Sequence, residues 1–325
     1  MNAPIRFGIL GAADFARRQM GPAIHAAKGA KLAALATSST EKAKGFQAFA
    51  PDIAIHQSYE TLLADPDIDA VYIPLPNHLH VEWTKKALQA GKHVLCEKPI
   101  ALKAEEIDAL IALRDATGLI AAEAYMIVHH PQWQRARALL AEGAIGKLSH
   151  TRAFFSYNNP DPQNIRNQAG TGGGGIRDIG VYTYGSVRFA TGQEPLEITA
   201  AGITWENGVD VTAHIAARFA GFSYTATTST RMANHQEVAF HGDQGVMRLT
   251  APFNAGIFGE AQIEISRAGM ADVIERFPGF RQYEAQVEGF VAAIKGEAPF
   301  AWSLENARAT QAMIDAIFAK AGPAK

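Results

Sequence analysis

Short apolar runs alternate with longer amphipathic stretches from Ile5 to about Ala121, and this alternation constrains the fold more than any other feature of the chain. The runs cover residues 5–10, 31–36, 70–73, 93–96 and 119–122. Between them lie segments with apolar residues at helical spacing, among them 39–49, 78–90 and 104–117. Strands that alternate with helices predict βαβ units around a doubly wound parallel sheet. Gly91 and Gly118 each follow such a segment, where a helix stop favours glycine.

Beyond Glu123 the texture changes. A helix-like stretch at 132–142 gives way to period-two alternation, with Val209, Val211, Ala213, Ile215, Ala217 and Phe219 on one face of a strand. Residues 236–241 and 246–250 flank Gly242-Asp243-Gln244-Gly245, a link suited to a hairpin. These features predict a doubly wound α/β domain over 1–122 and a second, α+β domain over 123–325 with a half-buried antiparallel sheet. Two late helices, 283–295 and 304–320, could pack on either domain.

Thirty Lys and Arg against 32 Asp and Glu leave no basic excess for nucleic acid. With 48 % hydrophobic and 19 % charged residues, the 325-residue chain has the composition of an ordinary globular protein. No window approaches the ~20 apolar residues of a membrane span, and Arg6 interrupts the only apolar stretch near the start, against a secretory signal. The single cysteine, Cys96, gives no disulfide or cysteine-rich zinc site. A cytoplasmic protein is expected.

The first run ends in Gly8-Ile9-Leu10-Gly11-Ala12-Ala13-Asp14-Phe15-Ala16. Small residues at Gly11, Ala13 and Ala16 would let backbone N–H groups and a helix N-terminus approach a pyrophosphate, and would equally serve a close helix–strand contact. The second strand ends in Thr37-Ser38-Ser39-Thr40 with Lys42 beyond and no acid. An acid there usually holds the ribose hydroxyls of NAD, whereas hydroxyls and a cation suit the 2′-phosphate of NADP. NADP is therefore expected ahead of NAD, and the same residues can cap the next helix.

His93-Val94-Leu95-Cys96-Glu97-Lys98-Pro99 closes another strand, and Gly172 to Gly175 lead into Ile176-Arg177-Asp178-Ile179-Gly180-Val181-Tyr182. With Pro76-Asn77-His78-Leu79-His80, Glu123-Ala124-Tyr125-Met126 and His130-Pro131, these segments resemble the Gfo/Idh/MocA family in order and spacing from about Ile5 to the last helix. The resemblance implies a Rossmann domain plus a C-terminal domain with a large, mostly antiparallel open sheet that forms a homodimer or homotetramer. It implies cofactor contacts from Gly11, Ala12, Ala13, Phe15, Thr37, Ser38, Lys42, Pro76, Asn77, His80, Glu97 and Lys98, with His78 near the cofactor. Lys98 would sit beside the nicotinamide, with Pro99 after a cis peptide, and Lys98, Asp178 and Tyr182 would be the catalytic and substrate-binding residues. Tyrosine at 182 is similar to the branch holding glucose-fructose oxidoreductase, NADP-dependent xylose dehydrogenase and dimeric dihydrodiol dehydrogenase.

If 178–190 is one α-helix, Asp178 and Tyr182 share a face at i and i+4, while Tyr184 turns about 200° from Tyr182 to pack. The expected chemistry is hydride transfer from a carbinol to nicotinamide, coupled to proton removal by Tyr182. A free tyrosine titrates near ~10, so a base at neutral pH needs its ionised form stabilised by roughly 3 kcal/mol. A nearby Lys98 ammonium would favour the tyrosinate, and the reverse division, with Lys98 as proton carrier, stays open. Arg166 lies in a polar loop and could reach a substrate hydroxyl. The glycine run reads as a backbone turn, Cys96 as a buried small residue, and Phe154, Phe155 and Tyr157 as a core strand; no metal is expected. The leading activity is oxidation of an aldose at C1 to the lactone. Reduction of a dicarbonyl sugar, oxidation of a trans-dihydrodiol and a non-catalytic NADP sensor are the alternatives, and Lys98, Asp178 and Tyr182 together argue against the sensor.

Overall fold

The computed structural model describes residues 3–323. The outermost residues of the two expected domains, 1–2 and 324–325, lie outside them, as does the very start of the stretch read for a signal sequence. The chain divides into two compact units, residues 1–126 with Arg281–Arg308, and Ile127–Phe280 with 309–325.

The first unit holds β1 (Ile5–Leu10), β2 (Ala30–Ala36), β3 (Ala54–His56), β4 (Ala70–Ile73), β5 (His93–Cys96) and β6 (Ala121–Glu123) in one sheet of order β3-β2-β1-β4-β5-β6. All its pairings are parallel. Side chains that alternate along a strand face opposite ways, so Val71, Ile73, Val94 and Cys96 enter one core while Ala70, Tyr72 and Leu95 enter the other. The helix Ala104–Thr117 matches its predicted span and stops at Gly118, which takes φ +67°. The helix Gln282–Ile294 packs on this sheet, with Phe290 in the core 6.1 Å from Phe7. Leu304 and Ala307, at the start of the last helix, join the opposite core. One stretch has no counterpart in the predicted elements: β3 and the helix Tyr59–Leu63, the latter closed by a Ser58/Thr61 capping box.

The second unit is built on β7 (Leu148–Asn158), β8 (Glu197–Glu206), β9 (Val209–Arg218), β10 (Ser223–Ser229), β11 (Arg231–Gly242), β12 (Gly245–Thr250), β13 (Ala261–Arg267) and β14 (Val273–Phe277). They form an eight-stranded sheet ordered β14-β13-β12-β11-β7-β10-β9-β8, antiparallel except where β10 runs parallel to β7. Val209, Val211, Ala213, Ile215 and Ala217 are buried, as their alternation predicts. The helix Val181–Thr191 is pinned to the sheet by the Tyr224 hydroxyl, which donates to the Thr183 carbonyl at 2.8 Å. It is preceded by a π turn, Ile176–Gly180, so the expected single α-helix over 178–190 begins with a wider turn. Among the described residues no helix is long and apolar enough to cross a membrane.

Candidate active site

β1 ends in a turn that only a small residue could make. Gly11 takes φ +102°, and a Cβ there would lie 3.0 Å from Leu75 Cδ2 and 3.3 Å from the Tyr59 hydroxyl oxygen. The turn opens onto a cleft of about 510 Å³ lined by Gly11, Ala12, Ala13, Thr37, Ser38, Lys42 and Pro76 from the predicted set. Ser39, not its neighbours, caps the helix Thr40–Gln47, its hydroxyl accepting from the Lys42 N–H at 3.2 Å. Ser39 also lines the cleft beside Thr37 and Ser38, so one hydroxyl-rich turn serves both cap and cleft. Small walls, backbone at a strand end, clustered hydroxyls and a cation fit a dinucleotide phosphate backbone. Tyr59, which stands edge-on to Trp83 at 4.8 Å, also lines the cleft and was missed with its helix. The capping pair Ser58 and Thr61 was its sequence signal.

The remaining predicted cofactor residues lie off this cleft lining. Phe15 packs edge-on against Tyr283 at 5.7 Å. Asn77 and an exposed His78 form a 3₁₀ turn. His80 is fully buried, its Nδ1 2.8 Å from the Pro99 carbonyl and its Nε2 2.7 Å from the Leu75 carbonyl. Two acceptors call for two N–H donors, whereas burial holds the His80 pKa below its ordinary value.

The segment Glu97-Lys98-Pro99-Ile100 is held through Glu97 at one end and Glu123 at the other. Tyr72 donates to Glu97 Oε1 at 2.6 Å, and burial raises the Glu97 pKa. The Lys98 N–H donates to Glu97 Oε2 at 3.3 Å. Glu123, 2 % exposed, accepts the Ile100 N–H at 3.0 Å and the Trp302 indole N–H at 2.9 Å. The Lys98–Pro99 peptide is cis. Cys96 is buried, and burial pushes its thiol well above the usual range, so it is a packing residue.

In the second unit Asp178 Oδ2 lies 2.6 Å from the donating Tyr157 hydroxyl and 3.0 Å from Arg166 Nε. The Arg166 pKa rises, first through the Asp178 charge and more weakly through Tyr157 and Tyr182, so Arg166 stands near all three. Burial and the Asp178 charge raise the Tyr157 pKa. Tyr157 therefore belongs to this polar group, a correction to its reading as a core residue; it shares Phe155's strand face but sits one step from the strand's end. The Tyr182 ring packs on Phe155 and Phe253 at 5.9 and 5.8 Å. Tyr184 is fully buried against Gly180, where a Cβ would come within 2.7 Å of its ring. The glycine run is the backbone turn the sequence suggested, with Gly172 and Gly174 at positive φ. Among the described residues no group of three or more His, Cys, Asp or Glu could hold a metal ion.

The family model described as "Oxidoreductase family, NAD-binding Rossmann fold" (GFO_IDH_MocA) matches residues 5–125, and that of the GFO/IDH/MocA C-terminal domain matches residues 133–248. A dTDP-3,4-didehydro-2,6-dideoxy-alpha-D-glucose 3-reductase from Actinomadura kijaniata is 34% identical, over 97% of this chain and 95% of that protein. The chain belongs to the GFO/IDH/MocA family. It is an NAD(P)-dependent oxidoreductase. This GFO/IDH/MocA protein is also 31% identical to a D-xylose 1-dehydrogenase (NADP(+)) 2 from Haloferax volcanii, over 97% of each. A crystal structure of KijD10, a 3-ketoreductase from Actinomadura kijaniata in complex with NADP and TDP-benzene, matches with TM-score 0.89 and 32% identity, over 96% of each chain.

Proposed function

We propose that this oxidoreductase is NADP-dependent and acts on a sugar or related polyol, with oxidation of an aldose at C1 to the lactone as the leading reaction. The observation that carries the reading is the group around Asp178: a carboxylate, the Arg166 guanidinium and the Tyr157 and Tyr182 phenols. Several donors and acceptors at one helix end suit a neutral molecule rich in hydroxyls. The preference for NADP rests on Thr37, Ser38 and Lys42 in the cleft and on the absence of an acid from the turn 37–40. When bound, the nicotinamide supplies the hydride acceptor or donor.

The chain's own residues supply the rest. Gly11, Ala12 and Ala13 admit the pyrophosphate to backbone N–H groups, with Phe15, Pro76 and Asn77 as further cofactor contacts in this reading. Glu97 and His80 act from within, holding the backbone on either side of Lys98. Tyr182 takes the proton of the reacting hydroxyl in oxidation and returns it in reduction. Lys98 binds substrate as a cation, the exchange of these two roles being the alternative. Asp178 and Arg166 orient the other hydroxyls. Assembly as a homodimer or homotetramer through the second unit's sheet, and a cytoplasmic location, belong to the same proposal.

A second reading, reduction of a keto-sugar, draws on the 3-reductase relatives; structures of one of these carry replacements of a tyrosine and of a lysine, the residue types assigned here. A panel that follows NADPH absorbance separates the two: NADP and NAD reduction with pentoses and hexoses, and NADPH oxidation with dicarbonyl and keto-sugars. Turnover of an aldose supports the first reading, and turnover of carbonyl sugars alone supports the second. Y182F should lower turnover about a hundredfold or more and leave NADP affinity unchanged; equal losses in both would remove Tyr182 from its role.

A further inference from the structure

The carboxylate of Asp210 has no part in the reading above, yet it is one of the most enclosed charges in the second unit. It lies at the start of β9, 2 % exposed. Its Oδ2 accepts the Ile176 N–H at 2.5 Å, and the Gly175 N–H also favours its charged form. The glycine run is the socket for this group. A Cβ on Gly174 would stand 2.1 Å from Asp210 Oδ1, one on Gly175 3.4 Å from Oδ2, and one on Gly173 2.5 Å from the Arg166 carbonyl oxygen. That carbonyl accepts the Gly174 N–H at 2.9 Å. The same short turn therefore touches the Asp210 carboxylate on one side and the Arg166 backbone on the other. Two residues beyond Ile176 stands Asp178, the ion-pair partner of Arg166.

We propose that Asp210 is a positioning residue for substrate binding: its carboxylate fixes the first turn of the Asp178 helix against the Arg166 loop, so that Arg166, Asp178 and Tyr182 keep one geometry. The proposal rests on the site reading given above. Asp210 acts through backbone amides and touches no substrate. Removing its charge leaves one amide of the turn with a poorer acceptor, which loosens the turn without emptying it. The charged or titratable groups that face it are the Arg177 guanidinium, which favours its ionised form, and the Tyr184 phenol, whose pKa is raised first by burial and then by the Asp210 charge. Burial raises the Asp210 pKa to about 7, so the hold of this carboxylate on the turn should strengthen across neutral pH.

The test compares wild type, D210N and Y182F with D-xylose and NADP as probes, from about pH 6 to about pH 9. D210N should raise KM for D-xylose about tenfold, leave KM for NADP within about twofold, and remove an acid limb near pH 7 from the wild-type kcat/KM profile. D-xylose kinetics and a pH profile like those of wild type would overturn the proposal, as would equal rises in both KM values, which mark general damage. If D210N fails to fold, D210S is measured with hydrogen exchange over residues 173–182 as a substrate-free readout. Faster exchange confined to that segment supports the proposal, and wild-type exchange overturns it. Inactive Y182F beside unaltered D210N would refute the role of Asp210 alone. A fully active Y182F would refute the site reading and this inference with it.

Discussion

D210N should make the protein's stability less dependent on pH, and the size of the effect follows from the environment of Asp210. Its pKa is raised from 3.8 to about 7. Between these values the folded chain binds a proton that the unfolded chain has released. Stability therefore falls as pH rises through this window and is level above it. Across the whole window the loss is about 4 kcal/mol, and between about pH 5 and about pH 8 it is roughly 2.5 kcal/mol. The asparagine does not titrate, so whatever its amide costs in that socket is a constant offset. The informative quantity is the wild-type minus D210N difference in urea unfolding free energy across this pH range, in which all other titrating groups cancel. Because two compact units can unfold separately, the transition followed should be that reported by Trp133 and Trp205, which lie in the same unit as Asp210. Wild type should lose roughly 2.5 kcal/mol relative to the variant over that range. A difference constant to within about 0.5 kcal/mol would show that the carboxylate meets no net penalty on burial and would refute the reasoning.

Three further predictions concern named contacts. K42A should raise KM for NADP about tenfold and leave KM for NAD within about twofold, read from initial rates with each cofactor; parallel changes would remove Lys42 from recognition of the 2′-phosphate. Y157F deletes the donor 2.6 Å from Asp178 and should weaken sugar binding several-fold while calorimetric NADP affinity holds. G11A forces a side chain into φ +102° and to 3.0 Å from Leu75, so it should cost about 1–3 kcal/mol in thermal unfolding and abolish measurable NADP binding; wild-type affinity would contradict the close-approach account.

The strands of the first unit were legible because a parallel sheet covered on both faces demands apolar runs, and 5–10 and 93–96 coincide with β1 and β5. β3 escaped because it is a three-residue edge strand, Ala54-Ile55-His56, with too little apolar surface to register. Its loss also concealed Tyr59 in the cleft. The glycine run was readable as a turn, but the carboxylate that explains it stands 34 residues away from Ile176 and only the folded sheet brings them together. Tyr157 was overshadowed by Phe154 and Phe155, since an aromatic triplet on a strand reads as core. His80 shows the same limit from the other side: a motif gives a residue's neighbourhood, and only packing shows that both ring nitrogens turn toward carbonyls.

The first unit is discontinuous, and that has a consequence for synthesis. Glu123 is paired through Trp302, and the core around Phe7 is completed by Phe290, yet residues 127–280 are translated in between. At about 5–20 residues per second, a ribosome needs roughly 8–30 s to bridge that gap. During this interval the emerging sheet has an uncovered apolar flank and a carboxylate still lacking its indole donor. Vectorial folding therefore favours completion of the unit late, as the C-terminal segment leaves the ribosome, and leaves the nascent chain a natural client for chaperones until then.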